Sequence, residues 1–343
     1  QVAFERAGFK NAIIAKEITD SMTVDMDDVN YSVLTYAAST KANAMGPSIL
    51  DPRSGEILEA DIMWWHNVLN MLQEWITVQT GTVRPEARGI KLSDELMGDA
   101  MRFVACHEVG HSLGLRHNMM GSWAFPTDSL RSKSFTDRMN STSSSIMDYA
   151  RFNYVAQPGD GITALSPHIG PYDIFAIEYG YRWYGKENPE EEKDLLYDFL
   201  SRHTDRLYKY SEAQDVRDAV DPRAQNEDLG DDAVRSSQYG IANLKRIVPE
   251  IIKWTTTGEK GQTYEASRLY YAVINQWNNY LYHVLANIGG IYIENTIVGD
   301  GQKTYTFVEK EKQQAALKFL LDEVLTYPKW LFDTEVGEYT YLL

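Results

Sequence analysis

Three of the chain's seven histidines fall inside the twelve residues HEVGHSLGLRHN, 107 to 118. His107 and His111 stand four positions apart. On a helix that spacing puts both imidazoles on one face, about 6 Å apart along the axis. Two such rings suit a single zinc ion, each at roughly 2.0–2.1 Å. Glu108 follows the first histidine. It can lean toward the metal without ligating it, and there its carboxylate can take a proton from a metal-bound water. His117 cannot join the pair on an unbroken helix, because it would lie about 15 Å along the axis from His107. The helix must stop, and Gly114 stands where it should, since glycine accepts the left-handed conformation that ends helices. The chain can then double back and deliver His117 as third ligand. Three protein nitrogens leave one coordination position open for water, the arrangement of a catalytic zinc site.

Those side chains need a helix that aims them inward. Ser93 can cap it, with Asp94 and Glu95 in the first turn, where carboxylates suit the helix dipole. Leu96, Ala100, Phe103 and His107 then recur at helical spacing, with Met97, Val104 and His111 beside them. One stripe thus carries the core residues and two of the ligands.

Upstream, the segment to about Asn11 reads as a helix, and AIIAKEI (12–18) and YSVLTYA (31–37) as short strands. PSILDPRSGEILEADIM carries a hairpin signal, with Pro52, Arg53, Ser54 and Gly55 supplying the turn. After the turn Leu58, Ala60 and Ile62 alternate with Glu59 and Asp61 at the strand period. WWHNVLNMLQEWITVQT reads as a helix, residues 118–145 as a loop ending in NSTSSS, and YDIFAIEYGYRWYG as a further helix. Beyond about Gly185 the character changes to long helices, clearest in ASRLYYAVINQWNNYLYHVLANI and EKEKQQAALKFLLDEVL. The expected organisation is a catalytic region over 1–185 and a mostly helical region over 186–343.

Bulk properties exclude several classes. A net charge of −16 argues against a nucleic-acid partner, which needs clustered Lys and Arg. No apolar run is long enough to span a membrane. The single cysteine, Cys106, rules out an internal disulfide and argues against a disulfide-built secreted module. Gln1 opens in mid-helix with no leader, so the chain is expected to be a piece of a longer precursor.

HEVGHSLGLRH resembles the H-E-x-x-H-x-x-G-x-x-H signature of the metzincin zinc endopeptidases. SSIMDYA, 144 to 150, is similar to the Met-turn of that clan. The resemblance implies that Met147 forms an apolar floor beneath the metal, and that Tyr149 reaches the zinc or stabilises the oxyanion, as a tyrosine does in some of these families. AFERAGFKNAI, DPRSGEILEADIMWWHN, SIMDYARFNYVAQPGDG, YDIFAIEYGY and DPRAQNEDLGDD extend the likeness to a bacterial family of large zinc-dependent metalloproteases with a Met-zincin catalytic domain. Asn118 follows the third histidine where better-known metzincins carry Asp, Glu, Ser or Pro, so their substrate preferences do not transfer.

The resemblance implies an α/β fold: a mixed twisted sheet, the metal helix below it, a Met-turn and a closing helix, then the helical region. It also implies zinc as cofactor, a protein or peptide substrate and an extracytoplasmic location, periplasmic, surface or secreted. By analogy GEILEADIM is the edge strand that would pair with substrate, and the loop ARFNYVAQPGDGITALS walls the pocket past the scissile bond. The competing reading is a non-catalytic binding module of a cell-surface assembly with a structural metal. Intact Glu108 argues against it, as does the lack of a fourth local ligand. Trp64, Trp65 and Cys106 read as core, and His66, His168, His203 and His283 as structural or surface residues, with His168 nearest the expected cleft. The acidic run Glu212, Asp215, Asp218, Asp221, Glu227, Asp228, Asp231 and Asp232 reads as a solvated loop, with a calcium site as the weaker alternative.

Overall fold

Ile62, Met63, Trp64 and Trp65 form the middle strand of a three-stranded sheet, and the two apolar residues on its inner face, Ile62 and Trp64, are buried. In this computed structural model, which describes residues 1–22, 24–212, 220–256, 263–296, 301–332 and 334–340, the sheet takes the order β1-β5-β2. Strand β1 is Leu34–Ala37, β2 is Ala44–Met45 and β5 is Ile62–Trp65. β1 runs parallel to β5, with Leu34 opposite Ile62, and β2 runs antiparallel, with Ala44 opposite Trp64. Between them β3 (Ile49–Leu50) and β4 (Ile57–Glu59) make a separate antiparallel hairpin around Gly55, which has a left-handed φ of 76°. The expected hairpin is present, but Leu58 lies on it exposed, while Ala60, between the strands, and Ile62, in the main sheet, are buried.

Helix α1 (Val2–Ala7) ends at Gly8 in the left-handed conformation. Its Phe4 and Ala7 pack with Ile177 and Tyr181 of a later helix, and with Leu113 and Leu115. The strand expected over 12–18 does not form: the segment pairs with no other strand, and Ile14 and Ile18 stand in solvent. Trp64 and Trp65 belong to β5, so the following helix, α2, runs only from Val68 to Thr80. It packs with α3 (Asp94–Ser112) beneath the sheet. Ala44, Trp64, Val68, Leu72, Ile76, Leu96, Ala100, Phe103 and Val104 form one core there, joined by Ile146, Met147 and Phe152.

Residues 118–145, expected as a loop, are irregular except for short helical turns and α4 (Lys133–Met139), and Ser141, Thr142, Ser143, Ser144 and Ser145 are all buried. Helix α5 (Pro171–Tyr181) follows, with proline at its first position, then α6 (Lys193–Ser201). The remainder is mostly helical: α7 (Ala233–Ile247), α8 (Ile251–Thr255), α9 (Tyr264–Leu285), α10 (Lys310–Leu320), α11 (Lys329–Phe332) and α12 (Glu335–Glu338), with one hairpin, β6 (Ile291–Ile293) and β7 (Tyr305–Phe307). Leu244, Val273, Tyr280 and Val284 of α7 and α9 share a second core with Val78, Phe125, Leu130, Ala150, Tyr154 and Val155. Residues on both sides of Gly185 therefore build one core.

Candidate active site

Ser93 caps α3 as its sequence suggests, its Oγ accepting the Leu96 N–H at 3.3 Å. The helix runs 19 residues to Ser112 with Leu113 as its C-cap, and Gly114 turns the chain with φ 83°. The Leu115 N–H returns to the Gly110 carbonyl at 3.0 Å, and the bend brings His117 back beside the helix. One ligand atom from each of His107, His111 and His117 lies within 4.8 Å of the others, and the Nε2 atoms of His111 and His117 are 3.1 Å apart. Two rings are fixed from behind. His107 Nδ1 bonds the Ile146 carbonyl at 2.8 Å, and His111 Nδ1 bonds the Leu115 carbonyl at 2.9 Å. Those bonds place the proton on Nδ1 and leave Nε2 free as a ligand.

Burial keeps these rings neutral. It lowers His107 to about 3 and His117 to about 4, and it lowers His111 as well. Neutral imidazole is the form that binds a divalent metal. Three convergent nitrogens, two of them on rings whose second nitrogen is engaged, fit zinc by donor type and number.

Glu108 is 7% exposed. Burial pushes its carboxyl up to about 7, opposed by the backbone N–H of Gly46. Gly46 directly follows β2, and a Cβ there would sit 2.6 Å from the Glu108 carbonyl oxygen. This contact, invisible in the sequence, sets the edge strand against the candidate base. Gly110 is a second such residue: a Cβ on it would overlap Met147 Sδ, so the helix between His107 and His111 is bare where the methionine packs.

The segment 143–149 beneath the rings is held by two buried carboxylates. Asp173, from α5, accepts the Ser145 hydroxyl at 2.7 Å and the N–H groups of Ile146 and Gly170 at 2.8 and 2.7 Å. Burial raises its pKa to about 6, with those three bonds pulling the other way. Asp148 accepts the Ser122 N–H at 2.5 Å and the Ser143 hydroxyl at 3.3 Å. Met147 is fully buried. The Tyr149 ring lies 4.7 Å from that of His117 and 5.3 Å from that of His107, centroid to centroid. Arg151 stacks over Tyr149 at 4.6 Å and over Trp75 at 3.8 Å, and pairs with Glu227 at 3.1 Å.

A cleft of about 1420 Å³ opens beside His111. Gly46, Pro47 and Ser48 line one side, and Tyr172, Phe175 and Tyr179 of α5 line the other, with Tyr208 and Tyr210. Two expectations need correction. The segment 150–166 is not this wall, because Phe152, Asn153, Tyr154, Val155 and Ala156 are buried in the core. GEILEADIM is not one edge strand: its Ile62 and Met63 lie in β5, which has neighbours on both sides, while Ile57 of β4, in the separate hairpin, lines the cleft, and β2 is the edge strand of the main sheet nearest Glu108.

Asn118 has a structural task. Its N–H donates to the Met147 carbonyl at 3.1 Å, its Nδ2 to the Lys209 carbonyl at 3.0 Å, and its Oδ1 accepts from Ser211 N at 3.2 Å. His168 lies away from the triad, 3.5 Å from Asp99. Trp64 is core, Trp65 is half-buried with Lys41 over its ring, and His66 meets the Tyr36 hydroxyl at the surface. His203 packs among Phe175, Phe199 and Tyr208, and His283 is buried, bonding the Asn226 carbonyl at 2.7 Å. Cys106 is half-buried, and burial raises its thiol pKa, which suppresses reactivity. In the acidic run, Glu212, Asp221, Glu227 and Asp231 pair with arginines, and Asp232 caps α7. Asp215 and Asp218 lie outside the described residues. Among the described residues the histidine triad is the one group of three or more such side chains placed to hold a metal.

No curated protein and no solved structure matches the chain. A protein-family model described as Met-zincin matches residues 89–341, which takes in the triad, Glu108, the turn at Met147 and nearly all of the helical region. The chain belongs to the Met-zincin family.

Proposed function

We propose that this chain is a zinc-dependent endopeptidase. The observation that carries the reading is the convergence of His107, His111 and His117 at the mouth of an open cleft, with Glu108 on the same helix turn. When bound, zinc would supply Lewis-acid polarisation of the scissile carbonyl and a more acidic water. The rest falls to the chain's own groups. Glu108, in apolar surroundings and steadied by the Gly46 N–H, takes the proton from the attacking water and passes it to the leaving amine. Tyr149, beside two of the ligand rings, donates its hydroxyl to the developing oxyanion. Met147 packs beneath the ligand helix at Gly110 as the floor of a Met-turn.

The substrate is a protein or peptide in extended form. The outer edge of β2, continuing through Gly46 to Ser48 along the cleft, is the surface on which it would pair. We assign the chemistry to 1–185 and a supporting role to the helical region 186–343. The location outside the cytoplasm rests on family resemblance; no helix among the described residues is long and apolar enough to cross a membrane.

The test is cleavage of a diverse peptide library by the parent and by Glu108→Ala, with zinc content measured in both. The variant should keep its zinc and lose turnover by about 10²–10⁴-fold. Equal turnover would remove Glu108 from its role. Zinc-loaded parent that cleaves nothing would favour the binding-module reading.

A further inference from the structure

The turn beneath the ligand rings is pinned by a side chain from another helix, and we infer that Asp173 is the residue that sets the positions of the metal ligands. The inference rests on the reading of the histidine triad as a zinc site. Asp173 is the third residue of α5 and is 3% exposed. Its Oδ2 accepts the N–H groups of Ile146 and Gly170 at 2.8 and 2.7 Å, and its Oδ1 accepts the Ser145 hydroxyl at 2.7 Å. Ile146 then offers its carbonyl to His107 Nδ1 at 2.8 Å. The next carbonyl, that of Met147, accepts the N–H of Asn118 at 3.1 Å, and Asn118 directly follows His117. Two consecutive carbonyls of one turn thus hold the first and third ligands, and one carboxylate holds the turn.

The contact between α5 and the turn leaves little slack. The Tyr172 N–H donates to the Ser144 carbonyl at 2.9 Å, and a Cβ on Gly170 would overlap the Ser144 backbone. Asp173 is a positioning residue: its bonds go to the turn, and it acts on His107 through Ile146. The two backbone N–H groups require an acceptor, and a charged carboxylate accepts more strongly than a neutral amide. An asparagine of the same shape offers them one neutral oxygen and turns an N–H₂ toward Ser145. Groups that orient metal ligands from behind typically change metal affinity by about 10- to 100-fold when removed.

The experiment is zinc affinity by chelator competition on the full chain, with the visible spectrum of the cobalt-loaded protein as a second readout. Asp173→Asn should weaken zinc binding by about 10- to 100-fold and alter the cobalt bands. Ser145→Ala removes one of the three donors and should weaken binding by about 5-fold. Leu244→Ala, a buried residue of the distant second core, should lower stability and leave zinc affinity at the parent value. Parent-like affinity and spectrum in Asp173→Asn would overturn the inference, as would an equal loss in Leu244→Ala. If Asp173→Asn does not fold, Ser145→Ala decides, and unchanged affinity there overturns it. A parent that binds no zinc removes the metal-site reading and this inference together, whereas a zinc-binding parent with a parent-like variant removes only the latter.

Discussion

At the scale of single residues, the groups proposed to carry chemistry and the groups proposed to aim them differ in how far apart their partners lie. His107, Glu108, His111, Gly114 and His117 occupy one helix and one bend, so their spacing alone shows that they converge. Gly46, Gly110 and Asp173 meet their partners across the chain, and nothing in a local window marks them. Gly46→Ala tests such a residue. Its Cβ would fall 2.6 Å from the carbonyl oxygen of Glu108, a backbone atom that cannot swing aside. The expected result is a drop in kcat of at least 10-fold on the order expected for a misplaced base, with zinc retained. Tyr149→Phe should lower kcat by about 10²-fold and leave zinc affinity unchanged, the pattern of a lost oxyanion donor. A matching rise in KM with constant kcat would instead make Tyr149 a substrate-binding residue.

At the scale of elements, helix α3 was legible because its cap, its acidic first turn and its apolar stripe are all local. The hairpin around Gly55 was legible for the same reason. The burial of 118–145 and 150–166, both read as loops, was not. Polar residues such as Ser145 and Asn153 are buried there because distant groups satisfy them: Asn153 bonds the Leu130 carbonyl at 2.8 Å, and Ser145 bonds Asp173. The same segment is tied to α3 at Asp99, which accepts the Ser166 hydroxyl at 2.5 Å and lies 3.5 Å from His168. The bond to Asp99 raises the His168 pKa against the effect of burial, and the bond to His168 holds Asp99 well below the usual carboxylate range. A raised histidine stabilises the fold below its unfolded pKa of about 6.5 and ceases to as pH climbs through the folded value. A depressed aspartate stabilises it above about 3.9 and ceases to as pH falls through its folded value. His168→Gln should therefore lower the urea midpoint more at pH 5.5 than at pH 8.5. An equal effect at both would mean that the pair carries no charge-dependent stability.

At the scale of the whole molecule, the change to long helices near Gly185 was legible, and the two clearest, α9 and α10, are there, with α7 unread beside them. What periodicity could not show is that these helices share their core with residues far upstream. The Tyr154 hydroxyl oxygen accepts the Leu229 N–H at 2.9 Å, and Asn243 of α7 donates to the Tyr154 and Ala156 carbonyls at 2.9 Å each. Gln79 at the end of α2 bonds Gln276 of α9 at 2.8 Å. A fragment ending at Gly185 would expose Phe125, Leu130, Tyr154 and Val155 to water. It should show no cooperative unfolding transition by circular dichroism, whereas the full chain should show one. A cooperative transition in the fragment would make 1–185 a folding unit as well as the seat of the proposed chemistry.

The bonds behind the ligand rings have one more consequence. His107 and His111 are each tethered at Nδ1 to a main-chain carbonyl of the chain itself. The loss of rotational freedom that a metal would otherwise impose on these two rotors is incurred during folding. Arrival of the ion then resembles a key entering a cut lock, and its rate should be governed by shedding of the ion's hydration shell, with no slow rearrangement of the polypeptide.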